Sequence, residues 1–310
     1  MKYRDEQKKR IASLISNGAI FNHDAGGGLY MGKERDFVLT NFDNNIYPPI
    51  LIIVKDYFRD NQVAWWGGKM PSGHTLSSQI ACINHLFPIR NDKVEVLKIL
   101  RSIDPLFADV LVIDTDTAFP AYIQFEATSN TDHLNEQNTT RGSNCTSVDA
   151  LIYALHEDGR RFILPIEWKF TEEYDNQSKA EGVSGMTRKA RYTALINGSA
   201  QLKHESHEIY YFEPFFQLMR QTLWAEQMIR YKASERINAD EFIHIHVIPP
   251  ENRDLLDKKY TCSGMGMEDT WRSQILDQNK YQIVAPQELL ASVNLHKYGE
   301  LLNYLKERYW

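Results

Sequence analysis

Cysteine is scarce in this sequence, and that scarcity is the first constraint. Three cysteines, Cys82, Cys145 and Cys262, lie far apart among 310 residues, with no CxxC pair. Neither a disulfide framework nor a cysteine zinc site is expected, and a reducing cytoplasm is the setting that fits. Long apolar runs are also missing. The longest, Ile50 to Val54, is far short of the roughly 20 residues of a membrane-spanning helix, so no membrane partner is expected. The charged opening Met1 to Arg10 is not followed by the apolar core of a signal peptide. Excess positive charge is absent: the net charge is −6. That argues against a basic coat over the whole surface but leaves room for a local basic groove. There is no internal repeat and no low-complexity block.

What is present is an apolar fraction of 43% and an aromatic fraction of 12%, enough for a folded chain with a large core. Residues 1–16 read as a short surface helix, and 17–49 as irregular. Gly27 to Lys33 matches GxxxxGK. Glu34, however, stands where a Ser or Thr should hold magnesium, and no buried strand precedes the glycines, so a loop is the better reading. Ile50 to Val54 is either a strand or the start of a helix. Trp65 and Trp66 are adjacent, a pair suited to packing or to stacking on bases. Leu76, Ile80, Ile83 and Phe87 recur at helical spacing before Pro88. Val94 to Ile103 reads as another helix, Val110 to Ile113 and Tyr122 to Ala127 as strands, and Thr128 to Cys145 as a long polar loop. Glu213-Pro214 opens a helix to about Tyr231, and Glu241 to Ile248 is a strand.

The chain is organised around Thr146 to Thr171. Two apolar strands flank His-Glu-Asp-Gly-Arg-Arg, and Asp149, Glu167 and Lys169 are set into the apolar runs. Charges in buried strands are costly unless they are paired or bind a metal. Side chains alternate along a strand, so Glu167 and Lys169 share the face opposite Phe162, Leu164, Ile166, Trp168 and Phe170. A two-residue turn at Asp158-Gly159 would separate Asp149 from that face. A three-residue loop, Glu157-Asp158-Gly159 with Gly159 left-handed, would set Asp149 opposite Glu167, and that loop is the expectation. Pro165 cannot donate to a ladder, so a bulge or open edge is expected there. Facing carboxylates repel unless a divalent cation joins them. Magnesium, with manganese as a substitute, prefers oxygen ligands. A lysine beside such a cation suits metal-assisted phosphodiester hydrolysis.

Asp149 followed by Glu167-Trp168-Lys169 at the end of the next strand resembles the PD-(D/E)xK nuclease superfamily, the restriction-endonuclease-like fold. Ser77-Ser78-Gln79, Thr146 to Ala150 and Pro214 to Gln221 also resemble a bacterial group of restriction-endonuclease-like proteins. Val148 stands where the superfamily's name has proline. The resemblance covers residues 20–250. It implies an α/β (α+β) mixed sheet built as helix, three strands, helix, strand, with helical additions at both ends. The implied divisions are an extension at 1–70, a nuclease core at 71–250 and a helical extension at 251–310, together one compact unit. It implies a metal-dependent DNA endonuclease of restriction, defence or DNA processing, with a homodimer as one way to cut both strands. By analogy Asp149 and Glu167 hold the metal, and Lys169 positions water or stabilises the phosphate. Gln79, Glu126, Gln217 and Gln221 are auxiliary candidates. Lys179, Arg188, Lys189 and Arg191 lie in a locally basic stretch suited to DNA phosphates. Two other readings compete. One is a catalytically silent DNA-binding or interaction module on the same fold. The other is a metal enzyme using His244 and His246, which alternate onto one strand face.

Overall fold

The computed structural model describes every residue except 67, 69, 114–118, 138–144 and 206. The chain begins with α1 (Tyr3–Asn17), a small hairpin of β1 (Gly28–Tyr30) and β2 (Lys33–Arg35), and helices α2 (Leu51–Asp60), α3 (Ser78–Leu86) and α4 (Lys93–Ile103). Four strands follow: β3 (Phe107–Val110), β4 (Ile123–Ala127), β5 (Val148–His156) and β6 (Arg161–Trp168). Two long helices, α5 (Gly182–Asn197) and α6 (Phe215–Arg230), lead to β7 (Glu241–Phe242) and β8 (His244–Val247). The remainder is α7 (Arg253–Leu256), α8 (Met267–Gln274), β9 (Tyr281–Val284), α9 (Pro286–Leu289) and α10 (Leu295–Arg308). No helix among the described residues is long and apolar enough to cross a membrane.

Seven strands form one mixed sheet ordered β3-β5-β6-β8-β9, with β4 also beside β5 and β7 also beside β6. Pairings on the β5 side are antiparallel, and those of β6 with β7 and β8, and of β8 with β9, are parallel. This is the mixed α/β sheet that the sequence implied. The part 251–310, read as helical, also supplies β9, a strand at the sheet edge.

The β5–β6 register follows from its turn. Gly159 is left-handed at φ +85°, and the His156 and Arg160 backbones close a three-residue loop through His156 N–H to Arg160 O at 2.9 Å. Ala150 then pairs with Ile166 and Leu155 with Arg161. Period-2 alternation does the rest. Phe162, Leu164, Ile166, Trp168 and Phe170 enter one buried cluster with α2, α3, α4 and α10. Leu151 and Ile163 enter a second cluster with α5, α6 and α8. Each fully buried apolar side chain contributes about 1.5–3 kcal/mol. Pro165, which has no N–H, sits where the neighbour of β6 changes. β7 pairs with Phe162 and Ile163, β8 with Ile166 to Trp168, and Ile243 between them breaks the ladder.

Segment 50–54 is helical, because Pro48-Pro49 and a capping turn lead directly into α2. The GxxxxGK stretch forms the β1–β2 hairpin, consistent with its rejection as a phosphate loop. α1 is less superficial than expected, since Ile11 and Ile15 lie in the first cluster.

Candidate active site

Three strand positions put three carboxylates in line. Asp149 falls opposite Glu167 in the β5–β6 register. In the β4–β5 register, Phe125 pairs with Ala150 and Ala127 with Val148, so Glu126 falls opposite Asp149 on its other side. Glu126 interrupts that ladder: its φ is +49°, a left-handed conformation that costs a non-glycine residue of order 1–3 kcal/mol. The hydroxyl of Tyr57 holds the bend. It accepts from Phe125 N–H at 3.0 Å and donates to Phe125 O at 3.2 Å.

Lys169 follows directly on β6, its backbone N–H donating to Val247 O at 2.8 Å. Its ammonium is buried and donates to Glu167 Oε1 at 2.5 Å and to Gln217 Oε1 at 2.7 Å. Gln221, one turn further along α6, donates to Glu167 Oε2 and to Ser147 O. Asp149 Oδ2 accepts the Trp168 N–H at 2.7 Å. Gln79 on α3 donates its amide N–H to Glu126 Oε1 at 2.7 Å, while its oxygen accepts Trp66 N–H at 2.8 Å. As placed, Gln79 orients Glu126 with a donor. Ser147 Oγ donates to the other Glu126 oxygen at 3.3 Å.

The electrostatics are strained at one point and balanced at another. Burial, then the charges of Glu167 and Glu126, push Asp149 well above the usual carboxylate range. Lys169 and the Trp168 N–H act against that shift without overcoming it. For Lys169, burial opposes the charge, but Glu167, Tyr174, Glu172 and Asp149 outweigh it and hold the ammonium well above the ordinary lysine value. Cys82 packs beneath the carboxylates. Burial pushes its thiol well up, so it is inert.

All of this opens on one cleft of about 570 Å³, lined among others by Gln79, Glu126, Asp149, Glu167, Lys169, Tyr174 and Gln217. As the side chains stand, no group of three or more His, Cys, Asp or Glu among the described residues is close enough to hold a metal ion. The acceptors are instead engaged by Lys169, Gln79 and Gln221. The donor set is oxygen throughout, which suits a hard divalent cation and not a soft one.

Other candidates fall elsewhere. Lys179 pairs with Glu213 at 2.5 Å, and Arg188 donates to the Lys179 carbonyl at 3.0 Å. Lys189 is exposed on α5 and Arg191 half-buried. His244 and His246 are buried on β8, and burial pushes both down, His244 to about 3. His246 Nδ1 meets the Tyr281 hydroxyl at 2.9 Å, so both are neutral core groups. In the 128–145 loop, residues 138–144 lie outside the described residues. At its near end, Glu136 is buried and accepts from Tyr192 OH at 2.5 Å, Thr146 Oγ1 at 2.7 Å and Arg220 Nη2 at 2.9 Å. That anchor fixes the entry to β5, and no local pattern in the sequence marked it. Tyr174, whose hydroxyl donates to Gln217 Oε1 at 3.3 Å, was also unmarked.

The family model described as REase-ARP, Restriction Endonuclease associating with ARP, matches residues 8–310. No curated protein and no solved structure matches the chain.

Proposed function

This chain belongs to the family of restriction endonucleases associating with ARP, and from that premise we propose that it is a magnesium-dependent DNA endonuclease acting in restriction or defence. The observation that carries the reading is the alignment of Glu126, Asp149 and Glu167 across three neighbouring strands, with Lys169 beside them in one cleft.

Asp149 and Glu167, with Glu126, would hold the divalent cation, magnesium or manganese. A carboxylate carries about four lone-pair sites, so Glu167 retains acceptor capacity beyond its bonds to Lys169 and Gln221. Once bound, such a cation supplies a Lewis acid and an activated water. The protein's own groups do the rest. Lys169 keeps its proton at neutral pH, so its ammonium stabilises charge developing on phosphate oxygens. Gln217 holds that ammonium in place, Gln221 holds Glu167, and Gln79 with Ser147 holds Glu126. Arg188, Lys189 and Arg191 on α5, with Lys179 just ahead of it, are proposed contacts for DNA phosphates. The family description's association with ARP is carried to this chain as part of the proposal, as is a homodimer that would bring two sites to two strands. The scarcity of cysteine, three residues in 310, suits a cytoplasmic setting.

The test is nicking of supercoiled plasmid with magnesium or manganese. Wild type is expected to nick in a metal-dependent way, and Lys169→Met to be slower by about 10²–10³-fold, the usual cost of losing one electrostatic stabiliser. Equal nicking by Lys169→Met and wild type would place the chemistry elsewhere. No nicking by wild type on methylated and unmethylated DNA alike would favour the silent binding module.

A further inference from the structure

The adjacent tryptophans have parted company. Trp65 is 7% exposed and stacks on Phe58 at 3.8 Å and 15°, as a core residue. Trp66 is 48% exposed, at the edge of the cleft that holds the carboxylates. It lies in an offset stack with Tyr30, 6.0 Å apart at 29°, and meets His74 edge-on at 5.7 Å. His74 is buried between Tyr30, at 4.5 Å, and Phe37, at 5.4 Å. Neither of its ring nitrogens has a hydrogen-bond partner among the described residues. These rings form an aromatic shelf with one large ring half in solvent.

Two further observations tie this shelf to a nucleotide. The first is position. The Trp66 backbone N–H donates to Gln79 Oε1, and Gln79 Nε2 donates to Glu126, so one side chain links the backbone beneath the shelf to the carboxylates. The second is charge. Arg4 lines the same cleft and brings a guanidinium to it. Guanidinium is well matched to phosphate.

We infer that this rim is a binding site for an unpaired DNA base, stacked on the Trp66–Tyr30 shelf, with a neighbouring backbone phosphate on Arg4. The inference rests on the nuclease reading for the placement of the strand. In a continuous duplex both faces of each base are covered by its neighbours. A ring can stack only on a base that is single-stranded, looped, flipped or terminal. Stacking needs no hydrogen-bond code, so the site takes any base. The protein therefore prefers DNA with unpaired bases at or beside the scissile phosphate.

The test compares a fluorescently labelled duplex with the same duplex carrying an unpaired bubble. Binding is followed by anisotropy, with calcium in place of magnesium. Wild type is expected to bind the bubble more tightly. Trp66→Ala is expected to weaken bubble binding by about 5- to 100-fold and duplex binding by less than about twofold, and Trp66→Phe to keep most of the preference. Arg4→Ala is expected to weaken both and to lower the salt slope by about one. Trp66 is half exposed, so its variants should fold, and an unchanged circular dichroism melt verifies that they do. Wild type binding duplex as tightly as bubble, or Trp66→Ala keeping the preference, overturns the inference. Plasmid nicking separates the two ideas. Wild type that never nicks but shows a Trp66-dependent preference condemns the nuclease and keeps the shelf. Nicking with a preference indifferent to Trp66 does the reverse.

Discussion

Asp149→Asn is expected to raise the stability of the metal-free protein by about 1–3 kcal/mol while removing plasmid cleavage. The reason is the conflict at that position. Burial, Glu167 and Glu126 hold Asp149 well above its ordinary value, so the folded protein keeps a proton that the unfolded chain has lost. The sign follows from linkage: a folded state that binds more protons than the unfolded one loses stability as pH rises. Below the ordinary aspartate value both forms are protonated, and wild type and Asp149→Asn should melt alike. The gap should open as pH climbs from there towards the raised value, then stay constant. The asparagine oxygen can still accept the Trp168 N–H, so the gain is not offset by a lost bond.

Glu167→Gln should do the opposite to stability and the same to activity. Lys169 is buried against Glu167, and removing one partner of a buried pair typically costs about 3–5 kcal/mol. Calorimetric melts of the two variants from acid to mildly alkaline pH, with and without magnesium, check both. Magnesium should raise the melting temperature of wild type and leave Asp149→Asn unmoved. A lower melting temperature for Asp149→Asn at alkaline pH without metal would refute the account of the site's electrostatics.

The second large effect lies outside the cleft. Arg308, in the last turn of α10, is 0% exposed. It donates to Asn45 O at 2.7 Å and also to Asn45 Oδ1 and Tyr304 OH, and its guanidinium lies 5.0 Å from Phe21 and 4.8 Å from Tyr309. Arg308→Ala leaves Asn45 Oδ1 without its donor and opens a cavity among these rings, a loss of about 3–5 kcal/mol. Arg308→Lys keeps a charge but not the fork, and should cost about 1–3 kcal/mol. Urea unfolding should show the midpoint falling with an unchanged slope. Full stability in Arg308→Ala would mean that α10 is not part of the cooperative core.

What could be read beforehand was what local rules dictate. Gly159 in a turn of polar residues set the hairpin register, and the register set Asp149 opposite Glu167. Pro165 marked the break opposite β6, and the apolar stripe of Phe162 to Phe170 marked the face that packs on helices. Glu126 was visible as a strand-end acid. Its left-handed backbone was not, because the hydroxyl that supports it comes from Tyr57, 68 residues from the neighbouring Phe125 that it binds. Gln79 looked like a weak metal ligand; its amide nitrogen faces Glu126 instead, an orientation set by Trp66. Glu136 and Arg308 are buried charges held by partners 84 and 263 residues distant. Neither has a periodicity or neighbour to announce it. The edge strand β9 was missed because Tyr281–Val284 is four residues long and half-buried, with none of the alternation that a longer strand would show.

The wall behind Trp168 is completed by α10 and by Tyr309 and Trp310 beyond it. Phe170 meets Tyr309 at 5.3 Å, His85 meets Trp168 at 4.7 Å and Trp310 at 5.8 Å, and Arg10 reaches from α1 to the carbonyls of Glu307 and Arg308. During synthesis, then, the ribosome has released every proposed catalytic side chain long before it releases the helix that holds their strand in place. Chains stalled ahead of Leu295 should leave the hairpin open to protease and should not nick DNA, whereas chains carried past Trp310 should resist and nick. The proposed site would thus stay unformed on the ribosome until α10 has emerged and packed.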